Sequence, residues 1–314
     1  MNADQASIAH AAELIRTGRL VAFPTETVYG LGANALDAEA VARIFAAKRR
    51  PRTSPLIVHV DSIAMARTLA AAWPEAADTL ARHYWPGPLT LVVPKRAIVP
   101  DIVTAGLPTV GLRMPAHPLA LDLIRAAQVP IAAPSANRFT ELSPTVAEDI
   151  PSQLADFVLD GGPARVGIES TVLSLAGAPL LLRPGVIPLP EIEALIGPVE
   201  ISAAATVGPH PSPGMHLRHY RPATPLYLIA PGSPPPEGHG ARLRIGHEMP
   251  ADPREYAAAL YRTLHRLDAE GFAWIAVDRP PETPAWAGVL DRLCRAAMES
   301  SGTNYTILPT IDTG

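Results

Sequence analysis

Short apolar runs alternate along this chain with segments of helical periodicity, and this alternation constrains the fold more than any other feature. The runs 20–23 and 56–60 have the length and composition of buried strands, whereas residues 8–16 and 118–127 carry apolar side chains at helical spacing. Some connections between strand-like runs are too short for parallel crossovers. The pattern therefore predicts an α/β protein with a mixed sheet.

The same periodicities define the other elements before residue 200. Further strands are predicted at 89–93, 109–113, 130–133, 157–160, 171–175 and 180–183. Further helices are predicted at 62–71, 75–83, 191–196 and after Asp37, which can cap a helix that runs to Lys48.

A chain of 314 residues exceeds what one ordinary core usually holds, which favours two domains. Residues 202–225 are rich in Pro, Gly and His and lack periodicity, as is typical of a linker. Three strand-like runs and two helices, at 253–269 and 285–299, follow it. We therefore expect a catalytic domain at 1–201, a linker or lid at 202–225, and a small three-layer, Rossmann-like α/β domain at 226–314.

Composition limits the classes of function. The net charge of −4 argues against non-specific binding to a nucleic-acid backbone, which needs many uncompensated cations. The single cysteine, Cys294, excludes an internal disulfide framework and a Cys-based zinc site. No apolar run reaches ~20 residues and no secretory pattern is visible at the start. A cytoplasmic protein without a membrane segment is expected.

Lys48 is one of only two lysines, the other being Lys95, and it continues the apolar face of its helix. We therefore expect its side chain to point inward. Arg49, Arg50 and Arg52 follow it. Cations at a helix end can simply compensate the helix dipole, but an inward lysine followed by arginines favours phosphate binding.

The predicted strand 109–113 places Thr109, Gly111 and Arg113 on one face. A buried arginine needs an anionic partner, which a structural acid or a substrate carboxylate could supply. His59 alternates with valines on another strand. A lone histidine in such a position is more often a satisfied core residue than a ligand.

The segment FPTETVYGLG at 23–32 concentrates hydroxyls, a carboxylate and two glycines after a strand. Alternation predicts that Thr25, Thr27 and Tyr29 share one face. A dinucleotide fingerprint is rejected, because the basic stretch 48–55 occupies the place of the ribose-binding acid. Ser143-Pro144 is expected to begin a helix, whose free amides could seat a phosphate.

Several catalytic classes have no signature in the sequence. There is no P-loop pattern, no H-E-x-x-H or C-x-x-C zinc pattern, and no nucleophile elbow. A phosphate site without a protein nucleophile is the remaining interpretation.

These residues resemble the YrdC/TsaC family, and specifically its long two-domain members. The resemblance is carried by FPTETVYGLG at 23–32, KRRPRTSPL at 48–56, TVGLRMPAHP at 109–118, APSAN at 133–137, ESTV at 169–172, LLRPG at 181–185 and SPGMHLRHYRP at 212–222. It implies a twisted mixed-sheet catalytic domain with a basic concave pocket, followed by a small C-terminal domain.

The resemblance also implies which positions bind the substrates. Those expected around L-threonine are Thr27, His59, Arg113, Ala133 and Ser170. Those expected around ATP are Lys48, Arg50, Ser54, Thr109, Ser135, Asn137, Ser143, Arg183 and Tyr220, of which Lys48 and Arg50 are the expected catalytic residues. No metal ligand from protein side chains is expected, because Mg²⁺ would be held by phosphate oxygens and water.

The implied reaction joins L-threonine, bicarbonate and ATP into threonylcarbamoyl-adenylate for the modification of an adenosine in tRNA. The implied partners are proteins that transfer the threonylcarbamoyl group to tRNA, with at most a weak direct contact to tRNA. The linker departs from the family pattern, since His216 and Leu217 stand where Lys-Tyr is usual. Two alternatives are weighed against this reading: a non-catalytic RNA-binding module, and a carbamoyltransferase, whose accessory segments are missing here.

Overall fold

The computed structural model describes residues 5–202 and 219–297, which form two β-sheets with helices packed against them. The linker residues that include His216 lie outside the described ranges, so the predictions made for them stay predictions. Within the described residues, no helix combines the length and the apolar character that crossing a membrane requires.

The larger sheet is mixed, as the short connections predict, and its strand order is β10-β9-β8-β4-β5-β3-β6-β2-β1-β7. Its strands are β1 (Val21–Phe23), β2 (Gly30–Asn34), β3 (Ile57–His59), β4 (Leu89–Pro94), β5 (Thr109–Arg113), β6 (Ile131–Ala132), β7 (Phe157–Val158), β8 (Thr171–Ser174), β9 (Leu180–Arg183) and β10 (Glu200–Ile201). Strand β3 is parallel to β5 and antiparallel to β6, which sets His59 opposite Arg113 and Ile131.

Seven α-helices accompany the larger sheet in the described residues: α1 (Gln5–Arg16), α2 (Ala38–Lys48), α3 (Ile63–Leu69), α4 (Glu75–Tyr84), α5 (Asp101–Thr104), α6 (Pro118–Ala127) and α7 (Leu189–Ile196). Helix α2 begins as predicted, because the Asp37 side chain accepts hydrogen bonds from the amides of Glu39 and Ala40.

Alternation along the strands gives the two faces of this sheet different surroundings. Leu56, Val58 and Val60 pack in the principal core with Ile44 of α2, as predicted. Helices α1 and α6 cover the opposite face, but only over the end of the sheet that contains β1 and β6. The remainder of that face, where Ile57 and His59 point, borders a cavity.

The smaller sheet is parallel, with the order β11-β13-β12. Its elements are β11 (Leu226–Ile229), β12 (Gly240–Leu243), α8 (Pro253–Ala269), β13 (Trp274–Asp278) and α9 (Ala287–Ala296). The apolar cluster around α8 also contains Val28, Leu142 and Ile168 from the first part of the chain. One apolar cluster therefore includes residues from both the first and the second part of the chain. The predicted domain limits stay a prediction.

Two local predictions are wrong. Ser143 does not begin a helix, since only a single 3-10 turn forms nearby at Ala147–Asp149. Tyr29 does not share a face with Thr25 and Thr27, because residues 26–28 form a bend, across which the Thr25 hydroxyl donates to the Val28 carbonyl at 2.6 Å. The Tyr29 hydroxyl instead donates to the carbonyl oxygen of Gly162.

Candidate functional site

A cavity of about 540 Å³, including its open mouth, lies on the uncovered face of the larger sheet. It is lined by Thr25, Thr27, Val28, Gly30, Arg50, Ile57, His59, Arg113, Ala133, Pro134, Ser135, Glu169, Arg183, His219 and Tyr220. Among the described residues, the lining therefore contains three guanidinium groups and one carboxylate, that of Glu169.

Arg113 projects from the end of β5 and is 4% exposed. Its Nη2 lies 2.8 Å from Glu26 Oε1 and donates to the Thr27 hydroxyl at 2.9 Å. The other Glu26 oxygen accepts from the Ala116 amide. A structural acid therefore partners Arg113, which was one of the two possibilities left open by the sequence. The pair fixes Thr27 and the guanidinium together at the cavity wall.

His59 lies beside Arg113 on the neighbouring strand, and its ring packs edge-on against Phe23. Burial and the positive charge of Arg113 lower the pKa of His59 to about 3. The imidazole is therefore neutral at physiological pH and can exchange a hydrogen bond with a ligand without adding charge. Its Nδ1 is buried without a hydrogen-bond partner among the described residues.

The low pKa of His59 predicts a loss of stability in acid. Between pH 6.5 and 3, the unfolded chain binds a proton at this residue that the folded chain does not. The contribution of neutral His59 to the free energy of unfolding is therefore complete above pH 6.5 and falls as the pH is lowered. From pH 7 to pH 5 this single group should lower the free energy of unfolding by about 2 kcal/mol. Urea unfolding at the two pH values measures this drop.

The matched variants are His59→Asn and His10→Asn, because His10 is an exposed histidine outside the cavity. The difference between pH 7 and pH 5 should shrink by the stated amount only in His59→Asn. Equal pH dependence in wild type and His59→Asn would show that the imidazole does not titrate abnormally.

Arg50 supplies a second buried cation, 7% exposed, at the opposite side of the cavity wall. It donates to the Ser54 hydroxyl and to the Pro55 carbonyl. Within residues 5–202 and 219–297 no carboxylate forms an ion pair with it, and its Nε lacks a hydrogen-bond partner. Burial, and then the charge of Arg183, lower its pKa to about 10. An anionic ligand would relieve both costs.

Lys48 points inward as predicted and is 1% exposed. Its ammonium group donates to the backbone carbonyls of Ser135 and Asn137, at 2.6 Å from the Ser135 oxygen. It thus lies behind the cavity wall and does not line the cavity itself. Lys48 therefore holds the 133–137 loop in place from behind, which the sequence did not foresee.

Among the described residues, Glu169 is the one carboxylate of the cavity lining, and its side chain already forms hydrogen bonds. The Ser143 hydroxyl donates to Oε1 at 2.6 Å and the Arg292 Nε donates to Oε2 at 2.8 Å. Burial would raise its pKa, but the charges of Arg292 and Arg183 outweigh burial and lower it. Glu169 is therefore ionised, and it explains why Ser143 is buried without capping a helix.

Arg183 ends β9 and donates through Nη2 to the Ser170 carbonyl at 3.0 Å and to the Ser170 hydroxyl at 3.2 Å. The Ser170 hydroxyl also pairs with Thr90. These contacts hold Ser170 just behind the lining.

Tyr220 closes the cavity from the described end of the linker. Its φ is +60°, an unusual conformation for a bulky residue and one that neighbouring packing has to maintain. The ring stacks on Tyr261, with 5.9 Å between centroids, and the Arg292 guanidinium lies 5.2 Å from its ring centre. The Tyr220 hydroxyl is buried without a hydrogen-bond partner among the described residues.

The structure brings most of the predicted site residues together. Those in the cavity lining are Thr27, Arg50, His59, Arg113, Ala133, Ser135, Arg183 and Tyr220. Those placed directly behind it by a hydrogen bond to a lining residue are Lys48, Ser54, Ser143 and Ser170. The Asn137 side-chain amide donates away from the cavity, to the carbonyls of Arg138 and Glu141.

Thr109 lies elsewhere, in a second cavity of about 290 Å³ that shares Ile57 with the first. The second cavity also contains Thr90, Thr104 and Gly111. A Cβ added to Gly111 would lie 3.3 Å from Thr90 Cγ2, so the glycine permits a close approach of β4.

Sequence reasoning missed several residues of the lining, chiefly Glu169 and His219. It also missed Glu26 as the partner of Arg113. The sequence did offer a signal for such residues. It is an acidic residue next to a buried strand, without a cation beside it in the chain, as at Glu169 before β8.

The carboxylates of this region do not form a metal cage. Among the described residues, no three His, Cys, Asp or Glu side chains lie close enough together to hold an ion. Glu169 and Glu26 are each already bound by an arginine.

Comparisons with known proteins match the whole described architecture. The Sua5/YciO/YrdC family model, described as "Telomere recombination", matches residues 13–185, and the model "Threonylcarbamoyl-AMP synthase, C-terminal domain" matches residues 187–298.

Two curated relatives are named threonylcarbamoyl-AMP synthase. The protein from Bacillus subtilis (strain 168) is 42% identical, over 95% of this chain and 94% of its own length. The protein from Pyrococcus abyssi (strain GE5 / Orsay) is 52% identical, over 70% of this chain and 66% of its own length.

A crystal structure of P. abyssi Sua5 complexed with L-threonine superimposes with a TM-score of 0.88 at 40% identity, covering 95% of this chain and 96% of that one. Sequence, domain order and fold agree over both sheets. The chain therefore belongs to the Sua5/YciO/YrdC family, with the C-terminal domain of its long, two-domain members.

Proposed function

We propose that this protein is an L-threonylcarbamoyladenylate synthase, an ATP-using nucleotidyltransferase. The observation that carries the proposal is that Arg50, Arg113 and Arg183 are all buried in the wall of one cavity. Buried cations require anionic partners. Arg50 has no carboxylate partner within the described residues, so a phosphate of ATP would complete it, whereas Arg113 already pairs with Glu26 and would bind the threonine carboxylate as a second anion. Relatives named threonylcarbamoyl-AMP synthase, and a relative crystallised with L-threonine, support the same assignment.

L-threonine is assigned to the part of the cavity around Arg113. The threonine carboxylate would accept from the Arg113 guanidinium and from the Thr27 hydroxyl, which already lie 2.9 Å apart. Neutral His59, Ala133 and the nearby Ser170 complete the proposed threonine set. A neutral imidazole nitrogen can accept a hydrogen bond from the ammonium or hydroxyl group of threonine, and it does not repel the ammonium charge.

ATP is assigned to the part of the cavity between Arg50, Arg183 and Tyr220. The supporting residues are Lys48, Ser54, Ser135, Asn137 and Ser143, and Thr109 would contact the nucleotide through the second cavity beside Ile57. Arg50 has an unpartnered buried Nε, and Tyr220 an unpartnered buried hydroxyl. Both can donate to phosphate or ribose oxygens. Mg²⁺ would enter as part of the ATP substrate, held by phosphate oxygens and water.

The reaction then needs alignment more than acid–base chemistry. The threonine amine and bicarbonate form a carbamate with loss of water, a carbamate oxygen attacks the α-phosphorus of ATP, and pyrophosphate leaves with the electron pair of the broken bond. Arg50 and Arg183 would stabilise the charge that develops on the phosphates, while Lys48 keeps the 133–137 loop in position.

The remaining proposals concern the surroundings of the reaction. The product is a mixed anhydride that water hydrolyses, so it has to be passed to proteins that transfer the threonylcarbamoyl group to tRNA. We place this chemistry in the cytoplasm. Division of the chain into a catalytic domain at 1–201, a linker at 202–225 and a C-terminal domain at 226–314 belongs to the same proposal.

The test is pyrophosphate release from ATP, measured with L-threonine and bicarbonate both present and with each omitted. Release should require both, and mass spectrometry should detect threonylcarbamoyl-adenylate. L-serine in place of L-threonine measures the selectivity of the amino-acid site. Pyrophosphate release that ignores threonine would refute the proposal, and salt-sensitive tRNA binding without any release would favour a non-catalytic RNA-binding module.

A further inference from the structure

The C-terminal domain contributes a buried arginine that binds a residue of the cavity wall from behind. Arg292 of α9 is fully buried, and its Nε donates to Glu169 Oε2 at 2.8 Å across a separation of 123 residues. Its Nη2 donates to the Glu169 backbone carbonyl and its Nη1 to the Pro184 carbonyl. One side chain thus binds the residue before Ser170 and the residue after Arg183.

A second residue of the same domain reaches the same carboxylate. The Tyr261 hydroxyl of α8 donates to Glu169 Oε2 at 3.2 Å, and its ring stacks on Tyr220. Arg292 also lies over the Tyr220 ring. The domain therefore contacts three parts of the cavity wall: Glu169, the strand end at Arg183, and Tyr220.

The contact between α9 and the segment that follows Arg183 is closely packed as well as polar. A Cβ added to Gly288, one turn before Arg292, would lie 2.4 Å from the Gly185 carbonyl oxygen. The α9 backbone thus packs directly on the segment that follows Arg183. Such close backbone packing leaves little freedom for Arg292 to move relative to Glu169.

The charged side chains around Arg292 pair with one another inside the protein. Glu169 and Asp291 are negative, and Arg292 bridges them through Nε and Nη1. The other cation that lowers the pKa of Glu169 is Arg183 of the cavity wall. If Arg292 were removed, the buried Glu169 carboxylate would lose its ion pair and would have to shift or take up a proton, because an uncompensated buried charge is costly.

We propose that Arg292 is a positioning residue for the ATP half of the cavity: it fixes the Glu169 carboxylate and, through it, the Ser143 hydroxyl, and it packs directly against the Tyr220 ring. This inference rests on the proposed function for the identity of the ligand. It gives the C-terminal domain a direct duty in nucleotide binding, although Arg292 itself does not line the cavity.

The test measures ATP affinity by titration calorimetry, without threonine or bicarbonate, in the full-length wild type and in Arg292→Gln. Affinity should fall about tenfold in the variant, since a small displacement of binding groups has effects of that order or larger. The KM for threonine should change by less than about twofold, because the threonine set does not contact Arg292. Arg242→Gln is the matched control, since it breaks an arginine–aspartate pair, with Asp278, inside the same domain.

A double-mutant cycle with Glu169→Gln separates positioning from general destabilisation. If Arg292 acts through the carboxylate, Arg292→Gln should weaken ATP binding much less in the Glu169→Gln background than in the wild type. Unchanged ATP affinity in Arg292→Gln, despite a lower melting temperature, would overturn the proposal, as would fully additive effects in the cycle.

Arg292→Lys covers the case in which Arg292→Gln does not fold, because it keeps the charge and loses the forked geometry. It should show an intermediate loss of ATP affinity, and wild-type affinity would overturn the proposal. A wild type that binds ATP but releases no pyrophosphate would refute the proposed function alone. Normal pyrophosphate release with unaffected ATP binding in the Arg292 variants would refute the positioning role alone.

Discussion

A Lys48→Met variant is expected to release pyrophosphate at least about 100-fold more slowly than the wild type. The substitution keeps the aliphatic stem and removes an ammonium group that binds the carbonyls of Ser135 and Asn137. Two buried carbonyl groups would lose their partner, and the loop that carries Ser135 would shift. Since Ser135 and Ala133 line the cavity, the loss should affect binding of both substrates.

The matched control is Lys95→Met, which removes the only other lysine of the chain. Lys95 pairs with the exposed Asp101, away from the cavity. We expect its steady-state rates to remain within about twofold of the wild type, because Lys95 neither lines the cavity nor binds a residue that does. Full activity in a folded Lys48→Met protein, judged by its thermal melt, would exclude Lys48 from the catalytic machinery.

The second large effect is expected at Arg113, which we assign to the threonine carboxylate. Arg113→Met should raise the KM for threonine by about 100-fold or more, since a buried, charge-assisted contact is lost. It also leaves Glu26 buried without its cation, which costs about 3–5 kcal/mol of stability. Threonine titrations of pyrophosphate release measure the first effect and urea unfolding the second.

Two further variants separate binding from folding at this position. Arg113→Met/Glu26→Gln removes both charges and should recover much of the stability without recovering threonine affinity. Arg67→Met is the control for loss of an arginine, since Arg67 pairs with Asp78 on the surface. Recovery of threonine affinity in the double variant would assign the carboxylate to another residue.

Most secondary structure followed from local periodicity. Strands β5 and β9 and helices α6 and α8 have the predicted bounds, and α2 is capped by Asp37 as predicted. The alternation in 56–60 identified which side chains face the core. Strand β2 was missed because its sequence, GLGAN, combines two glycines with weak strand formers. It forms a strand because β1 and β6 pair with it on both sides.

The family resemblance named residues of which most lie in or directly behind the cavity lining, whereas their individual contacts could not be predicted. Ser143 illustrates the difference. The pair Ser143-Pro144 is typical of a helix start, but here the hydroxyl binds Glu169 and no helix begins. A local pattern cannot register a distant carboxylate that offers the hydroxyl a better partner.

The sequence by itself determined most of the strands and helices, that Lys48 faces inward, and that three arginines follow Lys48 within four residues. These properties depend on spacing within a few residues. Only the tertiary structure decided that Glu26 pairs with Arg113, and that Arg292 from the second domain binds Glu169. Such pairs join segments far apart in the chain, so their formation depends on the path of the backbone and on burial, which no local pattern contains.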